Sequence, residues 1–597
     1  MTAAAEAKDP EHMLTTDLRS GADFFTDVIK ALDIKYVASN CASSFRGLQE
    51  SIINYGGNTK PEWLTCMHEE ISTAMAHGYF KITGKPMISM VHAVVGIQHA
   101  SMAIYNAYCD RAAVIVIAGN SADVNTRRPG VEWRHSAVDQ GAMVRDYTKW
   151  DDQPVSLQHA AESMVRAHQI ALAAPESPVF LSMDSDLMEK PIEPKDEKKL
   201  VIPKVSMNIA PQGDVNALRE AAKLLVEAES PVIVADMYAR TDKGPAMLVQ
   251  LAELLQAPVV DLYGRLNMPN QHWLQQSRRR GVLLQQADVI LALDPSDIWA
   301  LTHDLRDQLE RTWSRKAKAG MKMIEISMLN FHAKANIQDV ERFSPADLSI
   351  VGNPEASMPT LIDEVQKALS NDRRTALSAR GQKLQSSWKA MREQSLADAA
   401  AGWDSSPIST ARVSLELWDL IKDDDWGFGG ASLSGGWERS FWNLQKRHHF
   451  SGGSGGSGLG WNLPSSVGSA LANRDEGRYT VAFQRDGDSL YAPASLWTAA
   501  HHKIPLLSVV HNNRAWHQEV MHLQRVAYRH NRGLDRYPIG TTITDPYVDF
   551  AKVAQGFGVY SEGPITDPKD LRPALQRALA VVKKGEPALV DVIMQPR

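Results

Sequence analysis

Cysteine is scarce. Cys41, Cys66 and Cys109 are the only three in 597 residues, too few and too apolar in setting for a disulfide framework or a zinc site. A reducing, cytoplasmic compartment is expected. Long apolar runs are missing as well: the first dozen residues, MTAAAEAKDPEH, lack the apolar core of a signal peptide, and no later run approaches the roughly 18 apolar residues of a membrane span. Charge of one sign is not in excess either, with a formal net charge of -6. Neither a nucleic-acid backbone nor an anionic membrane is therefore an expected partner, which leaves a small molecule.

What remains is an ordinary globular composition, 44% hydrophobic and 22% charged, in a chain too long for one core and long enough for about three to four units. Short β-rich runs recur, each ending in a loop and followed by a helical pattern: AAVIVIAGN, SPVFLSMD, SPVIVAD, ADVILALD, TVAFQRDGD and IPLLSVVHNN. Continuous apolar strands of this length indicate parallel sheets covered on both faces, hence an α/β fold of doubly wound sheets. Two breaks, the Pro- and Lys-rich stretch near 189–204 and the polar stretch near 371–387, divide it into units at 12–190, 200–370 and 388–597.

In the last unit, TVAFQ runs into Arg485-Asp486-Gly487-Asp488-Ser489, and IPLLSVVH ends in Asn512-Asn513. Both polar loops then lie at carboxyl ends of parallel strands, where α/β sheets place ligands. A carboxylate and an amide oxygen suit Mg²⁺, a hard ion that completes its shell with water and phosphate oxygens. In the first unit, His68-Glu69-Glu70 opens the helical ISTAMAHGYF; a zinc-protease motif would need His at 72, where Ser72 stands. Gly453, Gly455 and Gly458 match the dinucleotide spacing, but the preceding RHHF is no apolar strand, so a dinucleotide site is not expected there.

The D-G-D-S block with N-N following 27 positions after Asp486 resembles the diphosphate-binding signature of thiamine-diphosphate enzymes, the family of acetolactate synthase, pyruvate decarboxylase and benzoylformate decarboxylase. Arg485 stands where that family usually has glycine. The resemblance implies thiamine diphosphate and Mg as cofactors, with Asp486, Asn513 and the carbonyl of Ala515 on the metal and Gly487, Asp488 and Ser489 in the diphosphate block. The block after His68 is similar to the family's H-E-x-x-A-x-x-A-x-G-Y, which implies that Glu69 bonds the cofactor's aminopyrimidine ring and activates its thiazolium C2. GLGWNLPSSVG resembles a segment in which Leu459 would wedge the cofactor into a bent shape and the Ser457 carbonyl would accept from the aminopyrimidine. The bend makes proton removal an intramolecular step. The resemblance covers essentially the whole chain, as pyrimidine-binding, central and diphosphate-binding domains. It also implies a homodimer or homotetramer, with Glu69 and Asp486 of different subunits meeting in one site.

Three further positions resemble benzoylformate decarboxylase: His92, 23 positions after Glu69, His272 in NMPNQHW, and Ser43 in SNCASSF, where Cys41 and Ser44 are alternatives. Two imidazoles can relay protons to intermediates formed after the C2 ylide, the enamine above all. His99 and His517 are secondary candidates. The implied reaction is lysis or decarboxylation of a 2-oxo acid or 2-hydroxy carbonyl compound. The alternatives are an acetolactate-synthase-like carboligase, a transferase, and a 2-hydroxyacyl-CoA lyase, for which Arg278-Arg279-Arg280 is the phosphate-binding candidate. FAD or a CoA or ADP moiety in the central unit is left open.

Overall fold

The computed structural model describes residues 19–206, 208–307, 309–332, 334 and 342–596. The amino-terminal dozen and the first residues of the 12–190 unit, 12–18, lie outside the described residues. All six apolar runs are strands: Ile115–Asn120, Val179–Asp184, Pro231–Ala235, Val289–Leu293, Tyr479–Arg485 and Leu506–Asn512. They belong to three sheets whose named strand pairs are all parallel. The first sheet runs in the order Glu62–Thr65, Tyr36–Ser39, Ile88–Val91, Ile115–Asn120, Val179–Asp184, Asp151–Asp152. The second runs Leu348–Val351, Lys322–Ser327, Val289–Leu293, Pro231–Ala235, Val259–Asp261. The third runs Trp426–Gly429, Tyr479–Arg485, Leu506–Asn512, Ala588–Ile593, Tyr560–Ile565. Strands such as Ile115–Asn120 and Leu506–Asn512 are buried throughout, which is why their sequences are continuously apolar rather than alternating.

The polar stretch near 371 is no open break. It forms most of a thirty-residue helix, Asn371–Ala400, capped by the Ser370 hydroxyl, which accepts from the Arg373 amide. Its Ala, Leu, Lys, Arg and Gln content favours helix, and its polar circumference reflects a bridging role along the surface. Arg373 donates to the carbonyls of Val226 and Ala228, and Arg380 to those of Gln256 and Ala228, which straps the helix to the central unit. No helix among the described residues is long and apolar enough to cross a membrane.

Two helices set the geometry that follows. Glu69–Thr83 and Asn462–Arg474 cross at glycines: a Cβ on Gly78 would lie 2.0 Å from the Ser465 carbonyl oxygen, and one on Gly468 would lie 2.0 Å from that of Met75. No side chain larger than hydrogen fits at either position. The backbones touch there, and one apolar core runs from the first sheet into Val467, Ala470 and Leu471. The segment that opens with Glu69 and the glycine-rich segment before Asn462 are thereby fixed relative to each other.

Candidate active site

Glu69 is the first residue of its helix and is 3% exposed. His68 caps the helix in extended backbone, its Nδ1 accepting from the Glu70 amide at 3.2 Å, and the dipole favours the two carboxylates of the first turn. Glu69 has a close neighbour in one of the secondary candidates. His99 Nδ1 lies 3.2 Å from Glu69 Oε2, and its ring stacks on His68 at 4.6 Å. His92 is close on the other side: a Cβ on Gly96 would lie 2.9 Å from both Glu69 Oε1 and His92 Cβ.

His92 heads a relay. Its Nδ1 accepts the Ala93 amide N–H at 2.8 Å, so the neutral ring carries its proton on Nε2, 3.0 Å from Nδ1 of His135. Ser44 Oγ lies 2.9 Å from the same Nδ1. Burial, and then His135, lower the His92 pKa, while Glu69 raises it. Ser44 is thus the serine that faces His92. Ser43 is exposed, and its carbonyl accepts from Arg46. Its place one residue earlier in a one-turn helix turns its side chain away, a shift of a single residue that a loose alignment does not resolve.

The diphosphate-type loops come together as their strand positions require, on adjacent parallel strands. Asp486 Oδ2 accepts from the Arg514 amide at 2.6 Å and Oδ1 from the Gly487 amide at 2.8 Å, and Asn513 Oδ1 accepts from the Ala515 amide at 3.0 Å. Burial pushes the Asp486 pKa up to about 6, with those amides opposing. Asp488 is also raised by burial; its Oδ1 accepts from the Gly460 amide at 2.8 Å, and its buried Oδ2 has no hydrogen-bond partner among the described residues. Burial and the charge of Asp488 raise Glu70 to about 7. Ser489 donates to the Arg485 carbonyl, closing the Asp486–Ser489 turn. A Cβ on Gly487 would lie 2.5 Å from Trp516 Nε1, so this position requires glycine. Two buried carboxylates raised by desolvation, one with an orphaned oxygen, fit a divalent cation and the phosphate oxygens it carries.

The glycine-rich segment is clamped by Asn106, which accepts from the Gly458 amide at 3.0 Å and donates to the Gly458 carbonyl at 3.2 Å. Ser457, next to it, holds a left-handed φ of 56°, a conformation that costs a non-glycine residue about 1–2 kcal/mol. Leu459 projects from this clamped turn, 39% exposed. A rigid, strained turn presenting an apolar side chain suits a wedge for a bent cofactor.

His272 is not brought to this cluster within the chain. Its Nε2 lies 3.2 Å from Glu253, its Nδ1 accepts from the Leu274 amide, and its ring stacks on Trp273. His517 opens the helix His517–Arg529. Ser44, His99 and His135 complete the cluster. His135 ends the short helix Val131–His135, whose distance in sequence from His92 follows no periodicity, so no spacing rule could have found it.

Three family models match in chain order: thiamine pyrophosphate enzyme, N-terminal TPP binding domain, over 19–143; central domain, over 218–361; and C-terminal TPP binding domain, over 430–592. The chain is 24% identical over 569 residues to benzoylformate decarboxylase of Pseudomonas aeruginosa, covering 92% of this chain and 96% of that one. It is 21% identical over 581 residues to acetolactate synthase of Bacillus subtilis, covering 96% and 92%. Among solved structures, the thiamine diphosphate-dependent 4-hydroxybenzoylformate decarboxylase of Rhodococcus jostii superposes with a TM-score of 0.73 at 19% identity, over 97% of this chain and 100% of that one. With its three α/β units in the family's order and its buried carboxylates at the carboxyl ends of the third sheet, the chain belongs to the thiamine pyrophosphate enzymes.

Proposed function

We propose that the chain is a carbon–carbon lyase or decarboxylase acting on a 2-oxo acid or 2-hydroxy carbonyl substrate. The observation that carries this reading is the Ser44–His92–His135 relay beside Glu69. Bound thiamine diphosphate supplies a nucleophilic thiazolium carbon and an electron sink for the bond that breaks. Glu69 would hold and exchange a proton at the aminopyrimidine ring, and the Asn106-clamped turn would present Leu459 to the cofactor. Asp486, Asn513 and the Ala515 carbonyl would hold Mg²⁺, with Gly487, Asp488 and Ser489 lining the diphosphate site. His92, neutral at physiological pH because it is buried, delivers or accepts the proton that cleavage requires and recovers it through His135. Ser44 orients His92 and can bond a substrate carboxylate. Met67, Met102, Leu459 and Tyr491 are exposed apolar side chains on these segments, which supports a second subunit closing the site, with His272 as a further residue for that closed assembly. Three free thiols support a reducing, cytoplasmic setting.

The carboligase reading uses the same residues and differs in the acceptor. The acyl-CoA reading is weaker, because Arg278 is spent on Ser440 at 2.8 Å and Arg279 on Gln276 at 2.9 Å. The deciding experiment incubates holoenzyme with a panel of 2-oxo acids, acyloins and 2-hydroxyacyl-CoAs and identifies products by mass spectrometry. Aldehyde from a 2-oxo acid or an acyloin supports the proposal; exclusive formation of coupled acyloin products, or turnover of the CoA thioesters alone, overturns it.

A further inference from the structure

Three arginines converge on a cavity of about 230 Å³ at the seam between the three units, lined by no residue of the Asp486 loop. Arg240 and Arg265 follow the central strands Pro231–Ala235 and Val259–Asp261, and Arg447 opens the turn Arg447–His449. Glu176, His168 and Asn208 contribute the remaining polar lining used here.

The guanidinium groups are unequally satisfied. Arg265 is paired with Asp110, to Oδ1 at 2.7 Å and to the carbonyl at 2.6 Å. Arg240, with a side chain only 12% exposed, makes no side-chain hydrogen bond among the described residues. It is ion-paired with Glu176 at 3.3 Å and Asp294 at 3.6 Å, pairs longer than the roughly 2.7–2.9 Å of a charge-assisted hydrogen bond, so its N–H groups keep donor capacity toward the cavity. Asp294 is taken by Arg111 at 2.6 Å, and Glu355 accepts from the backbone amides of Arg240 and Thr241 rather than from the guanidinium. Arg447 has no ion-pair partner among the described residues: it donates to the carbonyls of Lys81 at 3.1 Å and Arg240 at 3.0 Å. Asp242 and Glu176 reach it only through longer-range attraction. Burial, then repulsion from Arg265 and Arg240, lowers the Arg447 pKa to about 10, which still leaves it charged at neutral pH. At this wall the buried His168 Nδ1 has no hydrogen-bond partner among the described residues, while Glu176 Oε2 has its ion pair with Arg240.

Arg447 is a buried cation with no carboxylate at ion-pair distance among the described residues, and such a charge costs several kcal/mol unless something supplies the counter-charge. We propose that the cavity binds a small oxyanion of the phosphate type between the guanidinium groups of Arg240 and Arg447. Arg265 adds positive potential behind them, and His168 can present Nδ1 as an N–H donor. The volume lies below the ~300–1,000 Å³ of sites for larger ligands, so the ligand is inorganic phosphate, sulfate or a short phosphate monoester. Occupancy would be felt at the cofactor. Arg447 also bonds the Lys81 carbonyl near the end of the helix that begins at Glu69, and Lys81 Nζ bonds the Gly453 carbonyl in the segment that carries Leu459. An anion bridging Arg240 to Arg447 ties the central unit to both.

The test is calorimetric titration of the holoenzyme, its diphosphate site already filled, with inorganic phosphate at fixed ionic strength, using chloride as control. A saturable phosphate-specific signal is expected, weakened at least tenfold in Arg240→Gln and Arg447→Gln, with circular dichroism showing that both variants are folded. Should either variant fail to fold, selenate soaked into wild-type crystals is expected to give an anomalous peak between the two guanidinium groups. No phosphate-specific signal in the wild type, undiminished affinity in the folded variants, or selenate peaks only outside the cavity would overturn the proposal.

Discussion

The indole Nε1–H of Trp461 donates to Nδ1 of His77 at 2.9 Å, and Nε2 of the same imidazole lies 2.7 Å from Asp110 Oδ2. A neutral ring protonated on Nε2 satisfies both contacts, and burial holds the His77 pKa down at about 4. Trp461 closes the glycine-rich segment that carries Leu459, while His77 stands on the helix that begins at Glu69. One buried bond therefore ties the segment that carries Leu459 to the helix that begins at Glu69 within one chain.

Trp461→Phe removes the donor and leaves His77 Nδ1 unsatisfied in a site with no solvent access. The expected loss is about 1–3 kcal/mol of stability, the cost of an orphaned buried acceptor. Urea denaturation measures it, and cofactor titration should show weaker binding. A variant with wild-type stability and cofactor affinity would mean that the helix crossing at Gly78 and Gly468 alone ties the two together.

Glu69→Gln preserves shape and burial but cannot exchange a proton with the aminopyrimidine. Cofactor binding should survive while hydrogen–deuterium exchange at the thiazolium C2, followed by NMR after acid quench, slows by orders of magnitude. Unchanged exchange would shift the role to Glu70.

His92→Ala should leave C2 exchange near wild type and lower turnover by roughly 10²–10⁴-fold, the range for a lost general acid or base. His135→Ala should give a smaller loss that does not add to that of His92→Ala, because the two rings share one contact. His272→Ala separates the chain from the assembly: if the Glu253 pairing persists in the oligomer, turnover stays at wild type, whereas a loss comparable to that of His92→Ala would place His272 in the closed site.

The sheets were legible because buried parallel strands are written as short continuous apolar runs, and Asp486, Gly487 and Asn513 because strand ends fix where loops fall. The cluster around Glu69 was half legible. His92 stands in it, and of Cys41, Ser43 and Ser44, which the motif leaves open, only Ser44 bonds His92, since one residue in a one-turn helix reverses a side chain. His99 and His135 reach Glu69 and His92 through tertiary packing that leaves no local pattern. The helix Asn371–Ala400 was read as a break because it lacks an apolar face, and its hold on the central unit comes from arginines bonding carbonyls, which no periodicity records.

Dialysis of the holoenzyme against a chelator should remove metal and thiamine diphosphate together if, as proposed, Asp486, Asn513 and the diphosphate hold the ion jointly. Activity should return only when both are restored. Full activity after verified removal of both would dissociate the Asp486 loop from the chemistry.

Acid should loosen the join between the first and third units through His502. This ring is 5% exposed, and its Nε2 accepts the Thr65 amide N–H at 2.8 Å, an acceptor role that requires the neutral form. Burial, followed by the charges of His501 and Arg474, holds its pKa down at about 3, against about 6.5 in an unfolded chain. Between those values the unfolded chain binds a proton that the folded protein refuses. The contribution of His502 is therefore complete above pH 6.5 and is lost as pH falls toward 3, at about 1.4 kcal/mol per pH unit for one proton. His77, His448 and His449 titrate in the same sense, while Glu70 and Glu438, raised by burial to about 7, act in the opposite sense. The comparison must accordingly be made between variants. His502→Gln keeps an acceptor for Thr65 and cannot titrate, so its denaturation midpoint should fall less steeply than that of the wild type between pH 6.5 and 4.5, by roughly one proton's worth of slope. Parallel pH profiles for the two proteins would show that His502 takes up its proton as readily in the folded state as in the unfolded one.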